Sequence, residues 1–251
     1  MLRTVTATRY VMPLREGGSL PAIVEADDDG LYVLKFRGAG QGAKVLLAEL
    51  VAGELARAAG LAVPEIVFVE LDADLARTEP DPEIQALIRG SAGLNVALDF
   101  LPGAVMFDPV VQTPDALLAS QIVWFDAYIS NVDRTARNAN LLVWHQALQL
   151  IDHGAAFYFH HAWDGRTDRS QDPFTRIKDH VLLPFASALR DADDALSARL
   201  TSDIIAGITA LIPQDWLGAH TREAYAGHLT RRLVAPRAFV EEAARARALL
   251  V

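Results

Sequence analysis

The sequence predicts an α+β fold of two lobes, a small β-rich N-terminal lobe with one main helix and a larger, mainly helical C-terminal lobe containing one β-hairpin. Strand-like segments are concentrated before residue 100, and helical patterns fill most of the remaining chain. A length of 251 residues suits one large domain or two lobes sharing an interface, because single cores stop growing at roughly 250–300 residues. We therefore expect lobes over residues 1–100 and 101–251.

Extended segments and one helix predict the N-terminal lobe. The predicted strands are residues 5–12, 22–26, 31–36, 66–69 and 95–101. An acidic turn at residues 27–30 joins the second and third of them as a hairpin. An apolar stripe predicts a helix over residues 44–59, and Gly60 stands where a left-handed cap ends it. Residues 72–83, rich in Asp, Glu and Pro, are predicted to be a surface loop.

Helices dominate the predicted C-terminal lobe. Residues 113–115 supply an N-cap, a proline and an acid for a helix that runs to about Ser130. Residues 141–145 and 148–151 predict a hairpin that turns at Gln146-Ala147. The other predicted helices are residues 185–195, 197–211, 220–233 and 236–250.

Composition excludes several classes of protein. There are 23 basic and 32 acidic side chains, a net charge of −9, and no run of five basic residues, which argues against direct nucleic-acid binding. The absence of cysteine excludes disulfides, thiol nucleophiles and thiolate metal sites. The start has no apolar core of signal-peptide length, and no apolar stretch approaches the ~20 residues of a membrane span. We expect a soluble, cytoplasmic protein with no membrane span.

Two loops that flank the predicted hairpin carry a set of oxygen-bearing side chains. Asp133 and Asn138 precede the hairpin, and Asp152 follows it, so we expect all three at one edge. Two carboxylates about 4 Å apart repel by about 4 kcal/mol at an effective dielectric of 20, so such a cluster needs a proton or a cation. Oxygen ligands without cysteine favour Mg²⁺ or Mn²⁺, held partly by a phosphorylated substrate.

The N-terminal lobe offers groups that suit phosphate. Lys35 stands in an apolar strand, where an unpaired ammonium would be costly, and Glu49 on the next helix is its expected partner. Upstream, Gly17-Gly18-Ser19 lets backbone amides approach an anion. A glycine loop, a strand lysine, a helical glutamate and the Asp…Asn…Asp set are the parts that phosphoryl transfer needs.

Two motifs resemble a known family. Residues 131–142 (Asn-x-Asp-Arg-Thr-x-x-Asn-x-Asn-Leu-Leu) and residues 148–154 (Leu-x-Leu-Ile-Asp-His-Gly) look like the catalytic and metal-binding segments of HipA-like kinases. This family is distantly related to the phosphatidylinositol 3- and 4-kinases and to protein kinases. Residues 17–19 (Gly-Gly-Ser), 32–36 (Tyr-Val-Leu-Lys-Phe) and 48–61 also look like the N-terminal half of that family, so the resemblance spans roughly residues 15–160. It is best with the short, stand-alone members. It implies a two-lobed, protein-kinase-like fold with an N-terminal nucleotide-binding lobe and a C-terminal catalytic lobe.

The resemblance also implies roles for individual residues. Asp133 would receive or orient the substrate hydroxyl, Asn138 and Asp152 would bind Mg²⁺, and Glu49 would hold Lys35. The residues expected at ATP are Gly17, Gly18, Ser19, Lys35, Phe100 and Leu101. The sequence departs from protein kinases in having Asp-His-Gly for Asp-Phe-Gly and no Gly-x-Gly-x-x-Gly loop, so their substrate rules do not carry over.

Several of these residues have a second interpretation. Asp133 and Asn138 are also common turn formers, and a strand lysine such as Lys35 often reaches solvent. Glu54 competes with Glu49 for the lysine. The hinge residues Phe100 and Leu101 fit equally well as an apolar strand end.

Four further features stay open at this point. The Gly-Gly-Ser triplet is also typical of a plain turn, and the resemblance suggests Ser19 as an autophosphorylation site. Arg134 either neutralises phosphate charge or pairs with a carboxylate. His153, His160 and His161 lack the spacing and fourth ligand of a zinc site, so we expect His153 to support the Asp152 loop and the other two to be partly exposed.

The predicted function is ATP- and Mg²⁺-dependent transfer of the γ-phosphate to a hydroxyl, on a protein Ser or Thr. One alternative is a nucleotide-binding pseudokinase or regulatory module without turnover, and another is a small-molecule or lipid kinase. The sequence does not identify the acceptor or a protein partner.

Overall fold

The computed structural model describes residues 2–14, 20–40, 42–163 and 168–250. The predicted nucleotide loop at Gly17, Gly18 and Ser19 lies outside these ranges.

The strands of the N-terminal part form a closed five-stranded barrel. They are β1 (Thr4–Pro13), β2 (Ala22–Ala26), β3 (Leu31–Lys35), β4 (Ile66–Leu71) and β5 (Gly93–Asp99). The order around the barrel is β1-β2-β3-β5-β4, and a parallel pairing of β1 with β4 closes it. Every strand contributes to one buried apolar cluster, which includes Val5, Val24, Leu34, Val67 and Ala97. The barrel fixes Lys35 at the end of β3, opposite Val96 of β5.

The segment between β4 and β5 contains more helix than the sequence predicts. The prediction of a surface loop over residues 72–83 is wrong, because a 3₁₀ turn occupies Ala73–Thr78 and helix α2 begins at Pro82. The side chains of Asp72 and Asp81 accept hydrogen bonds from backbone amides at the two starts. Asp and Pro favour the first positions of helices as strongly as they favour loops. Helix α2 (Pro82–Gly90) buries its apolar side against the barrel core.

Helix α1 (Ala43–Ala58) joins the barrel to the rest of the protein. Its buried leucines belong to the larger of the two apolar cores, which continues into helix α3 (Ala116–Tyr128). The later helices are α4 (Leu189–Arg199), α5 (Ser202–Thr209), α6 (Arg222–Arg232) and α7 (Ala238–Ala248). The helix predicted over residues 185–195 begins only at Leu189, because Leu183–Phe185 is a separate 3₁₀ turn.

A small antiparallel sheet interrupts the helical part. The predicted hairpin is present as β7 (Leu141–Trp144) and β8 (Ala147–Leu150), but a further strand, β6 (Val105–Met106), pairs with β7. The turn lies one residue earlier than predicted, at His145 and Gln146, whose φ angles are 48° and 66°. These left-handed angles match the primed turns of two-residue hairpins, which Asn and Gly usually mark in a sequence.

The boundary between lobes at residues 100 and 101 stays a prediction. Strand β5 ends at Asp99, and the next strand begins at Val105. Within the described ranges, every helix is too short or too polar to cross a membrane.

Candidate active site

Lys35 lies at the centre of the candidate site. Its Nζ is 2.7 Å from Oδ1 of Asp152, which is 117 residues away in sequence, and 4.0 Å from Oε2 of Glu49. Lys35 is 6% exposed and Glu49 is completely buried, so the lysine does not extend into solvent. The competing Glu54 pairs with Arg57 instead, at 3.1 Å. The strand and the helix thus bring together the lysine and the glutamate that the sequence predicts as partners.

Opposite charges keep this buried group ionised. Burial alone would lower the pKa of Lys35, but the carboxylates of Glu49 and Asp152 raise it above its usual range. Asp133 adds to this effect, so its charge also acts on the lysine. Burial alone would raise the pKa of Glu49, but the Lys35 ammonium, with a smaller contribution from His153, lowers it. The site therefore contains a charged Lys35 ammonium with the carboxylates of Glu49 and Asp152 next to it.

Glu49 and His153 have buried polar atoms with unused hydrogen-bonding capacity. Neither oxygen of Glu49 and neither ring nitrogen of His153 has a hydrogen-bond partner. His153 Nδ1 is 3.8 Å from Oε1 of Glu49, too far for a hydrogen bond. Buried polar atoms without hydrogen-bond partners are costly and rare, and one residue of this pair, Glu49, is 4.0 Å from Lys35. The predicted support of the Asp152 loop by His153 stays a prediction, because neither ring nitrogen makes a hydrogen bond to that loop.

The loop before β7 holds Asp133 between two asparagines. Asn138 Nδ2 donates to Asp133 Oδ2 at 2.7 Å, and Asn140 Nδ2 donates to the same oxygen at 3.2 Å. Two of the three side chains expected at one edge, Asp133 and Asn138, are therefore in direct contact. Asn140 has no predicted role, although its φ of 48° belongs to the left-handed region that asparagine tolerates better than most residues.

Arg134 is buried and pairs with a carboxylate, which decides between its two predicted roles. It is 1% exposed, and its Nε donates to Oδ2 of Asp126 in α3. His180 Nε2 lies 2.9 Å from the same oxygen. Asp126 and His180 are functional candidates that no sequence motif indicates, since neither belongs to the segment between Asp133 and Asn138.

The Asp-His-Gly segment follows β8 and packs against α1. Asp152 has a φ of 54°, a left-handed conformation that is strained for most side chains and is found at functional sites. At Gly154, a Cβ would lie only 2.7 Å from Cγ1 of Val45 in α1. Glycine is therefore needed for the close approach that holds Asp152 against the helix bearing Glu49.

Phe100 and Leu101 lie at the other end of β3 from Lys35. The backbone N–H of Phe100 donates to the carbonyl oxygen of Leu31 at 2.9 Å, and the Leu101 side chain is buried. Lys35 is four positions after Leu31 in the strand, or about 13 Å away. The hinge role of these two residues stays a prediction.

One of the two histidines after the Asp-His-Gly segment does not lie as predicted, while His161 is exposed. His160 is fully buried, so the prediction of partial exposure is wrong for it. Its carbonyl oxygen accepts a hydrogen bond from Lys44 at 2.7 Å, and Tyr225 Oη lies 3.3 Å from its Nδ1. Burial lowers the pKa of His160 to about 3, so the ring is neutral.

The donors near Lys35 suit an ion that is shared with phosphate. Across the described residues, no three His, Asp or Glu side chains are grouped so that they could hold a metal by themselves. Asn138 Nδ2 is bonded to Asp133, and the binding of a cation by Asn138 and Asp152 stays a prediction. Mg²⁺ is typically bound through one or two carboxylates plus substrate phosphates, and this donor set fits that pattern.

Solved structures of kinases share the fold. The Helicobacter pylori proinflammatory kinase CtkA aligns over 92% of this chain and 95% of its own, with a TM-score of 0.55 and 14% identity. The Golgi casein kinase with Mn and ADP bound aligns over 97% of this chain and 74% of its own, with a TM-score of 0.59 and 10% identity. At these identities the likeness shows a shared fold.

Sequence comparison identifies the family. Among curated proteins, none matches the chain. The family model described as HipA-like kinase matches residues 8–235, which confirms the resemblance of the two motifs. The protein belongs to the HipA-like kinase family and is a phosphotransferase.

Proposed function

We propose that the protein transfers the γ-phosphate of ATP to a hydroxyl with the help of a divalent cation, in a cleft between lobes over residues 1–100 and 101–251. The observation that carries this proposal is the 2.7 Å contact between Lys35 at the end of the barrel strand β3 and Asp152, two residues after β8. It joins the group suited to phosphate with the group suited to metal.

Lys35 binds the phosphates in this proposal. Phosphate oxygens compete with Asp152 for the Lys35 ammonium, and the buried Glu49 carboxylate keeps the lysine charged in either state. The predicted adenine contacts at Phe100 and Leu101 are about 13 Å away along β3, a distance compatible with the length of an adenosine phosphate.

Asp133 orients the acceptor hydroxyl. The two asparagine amides both bond Oδ2, which leaves Oδ1 to accept the hydroxyl hydrogen. The acceptor oxygen then forms a bond to the γ-phosphorus as the bond from that phosphorus to the β,γ-bridging oxygen breaks. Asp133 takes the hydroxyl proton, and ADP leaves. Catalysis comes chiefly from positioning and charge neutralisation.

Asn138 and Asp152 would hold Mg²⁺ or Mn²⁺. When bound, the ion neutralises charge on the transferring phosphate and the leaving group. The structural neighbour with Mn and ADP supports a pairing of nucleotide with a divalent ion, without choosing between the two metals.

The proposed acceptor is a Ser or Thr hydroxyl of a protein. The Golgi casein kinase is named for a protein substrate, and it shares the fold over nearly the whole of this chain. A net charge of −9 disfavours work at an anionic membrane surface, which a lipid kinase requires.

Transfer from radiolabelled ATP tests the proposal. Wild-type protein is incubated with [γ-³²P]ATP, either Mg²⁺ or Mn²⁺, and casein or a basic protein, and label in both proteins is counted. Asp133→Asn should lose transfer by about 100-fold or more and keep nucleotide binding, because general-base catalysis contributes 10²–10⁴-fold. Asp152→Asn should lose transfer and also weaken metal-dependent nucleotide binding.

The matched control is Asp191→Asn, which changes an exposed aspartate in the first turn of α4 and should leave transfer unchanged. Wild-type transfer by Asp133→Asn would contradict the assigned role. Metal-dependent ATP binding by wild type without transfer to any protein would support the pseudokinase alternative.

A further inference from the structure

A buried polar network lies directly beneath Asp133 and is not used by the mechanism above. We propose that Arg134, Asp126 and His180 act as a positioning unit that fixes the loop bearing Asp133 relative to the segment bearing Asp152. This inference rests on the proposed function, since its effect is on the geometry of phosphoryl transfer.

Asp126 is the anchor of the network. It is completely buried in α3, and its Oδ2 accepts hydrogen bonds from Arg134 Nε and His180 Nε2. Its Oδ1 accepts a hydrogen bond from Asn131 Nδ2 at 3.0 Å. Burial alone would raise the pKa of Asp126, but Arg134 and His180 lower it well below its usual range. The anchor is therefore an ionised carboxylate with both oxygens bonded.

Arg134 connects this anchor to both functional segments. Its Nη1 donates to the carbonyl oxygen of Asn140, whose side chain in turn donates to Asp133. The same Nη1 is 3.3 Å from the carbonyl oxygen of Ile151, the residue before Asp152. One guanidinium thus sets the separation between the catalytic aspartate and the metal-binding aspartate. With 1% exposure it is too buried to act on phosphate directly.

His180 connects the network to a segment later in the chain, residues 180–182. The backbone N–H of Leu182 donates to its Nδ1 at 3.0 Å, so the neutral ring carries its hydrogen on Nε2 and donates it to Asp126. Burial lowers the pKa of His180, which keeps the ring neutral. The backbone at His180 also bridges to Thr135, and Val181 N donates to the carbonyl oxygen of Arg134 at 3.1 Å.

Geometry explains why arginine is required. Nε bonds the anchor while Nη1 bonds two carbonyl oxygens, and the planar guanidinium holds these donors in a fixed arrangement. A lysine ammonium cannot span the same three acceptors in that plane. A displacement of about 1 Å between the two aspartates is enough to lower turnover by about 100-fold.

The matched comparison is Arg134→Lys against Arg232→Lys. Arg232 is equally buried at 2% exposure and makes four hydrogen bonds to backbone carbonyl oxygens, none of them in the segments bearing Asp133 or Asp152. Both changes should lower the melting temperature. At a temperature where both variants are folded by circular dichroism, Arg134→Lys should lower kcat by about 100-fold and raise the Mg²⁺ concentration for half-maximal rate. Arg232→Lys should keep kcat within about threefold of wild type.

Two further measurements keep the test decisive where Arg134→Lys does not fold. In Arg134→Ala, added guanidinium or methylguanidinium at millimolar concentration should restore kcat at least about tenfold, as expected for a missing positioning group. In His180→Gln the amide nitrogen can still donate to Asp126, whereas His180→Asn can only replace the acceptor for Leu182. We expect His180→Gln to retain the higher kcat.

Each outcome has a distinct meaning. Equal losses of kcat in Arg134→Lys and Arg232→Lys, or unchanged kcat and Mg²⁺ dependence in Arg134→Lys, overturn the positioning role. If Arg134→Lys does not fold, two other results together overturn the positioning role. They are a failure of guanidinium to restore kcat in Arg134→Ala and a kcat of His180→Asn at least as high as that of His180→Gln. A wild-type protein that transfers no phosphate instead refutes the proposed function.

Discussion

Replacing Gly154 with alanine tests whether the proposed metal-binding segment, residues 152–154, must touch α1. The new Cβ would lie 2.7 Å from Val45 Cγ1, whereas ordinary van der Waals contact begins at 3.4 Å. The two groups must therefore separate by about 0.7 Å (3.4 less 2.7). Overpacking of this kind costs about 1–3 kcal/mol, and we expect the free energy of unfolding to fall by that amount.

The same change should also lower turnover. The Cβ position is 3.7 Å from both Asp152 Oδ1 and Glu49 Oε2, so relief of the clash moves α1 away from the Lys35 contacts. A misplacement approaching 1 Å can lower the rate by about 100-fold. We expect a loss of about 10- to 100-fold in phosphate transfer at a temperature where the variant is folded.

A double-mutant cycle in urea, with transfer assays in parallel, measures both effects. Val45→Ala removes the clashing methyl group, so the double variant should recover most of the stability and activity that Gly154→Ala loses. The control is Gly207→Ala in α5, where an added Cβ meets no atom within 4 Å and helix propensity favours alanine by about 0.5–1 kcal/mol. Additive losses in the double variant, or a Gly154→Ala protein as stable and active as wild type, would refute this reasoning.

Three other changes probe the charges and the helix caps. Lys35→Met removes the cation beside buried Glu49 and should cost about 3–5 kcal/mol in urea unfolding, with part of the loss recovered when Glu49→Gln is added; no recovery would mean the pair is not coupled. Burial lowers the pKa of His160 to about 3 and of His228 to about 4, so the unfolded chain binds more protons below its pKa of about 6.5. Stability present above pH 6.5 should therefore be lost as the pH falls, by about 2 kcal/mol per histidine at pH 5, and His228→Phe should flatten this dependence if the assignment is correct. The N-cap of α3 is Asp115 and not residue 113 as predicted; Asp115→Ala should cost about 1 kcal/mol in thermal unfolding, while an unchanged melting temperature would argue against the cap.

Local signals in the sequence predict much of the barrel and part of the site. Alternating apolar strands place Lys35 on β3, and helical spacing with a glycine cap defines α1 and hence Glu49. Asp133 and Asn138 are only five positions apart in one loop, so the contact between them is local in sequence. These are short-range patterns, so periodicity and turn chemistry suffice.

Long-range pairings are what the sequence leaves out. The parallel pairing of β1 with β4 and the addition of β6 to the hairpin depend on strands distant in sequence. The His180 ring contacts the Asp126 carboxylate although the two residues are 54 positions apart in sequence. No local sequence pattern around either residue predicts this contact. The choice between the two predicted roles of Arg134 likewise depends on the folded structure, in which Arg134 is buried against Asp126.

Binding of Mn²⁺ in the presence of ADP tests the central claim most directly. Asn138 and Asp152 are proposed to hold a divalent ion together with the nucleotide phosphates that Lys35 binds. Electron paramagnetic resonance should show that wild-type protein with ADP removes free Mn²⁺ from solution at one site per chain, as should Asp191→Asn. Asn138→Ala and Asp152→Asn should leave most of the free Mn²⁺ signal in place. Mn²⁺ uptake by these two variants equal to that of wild type would contradict the account.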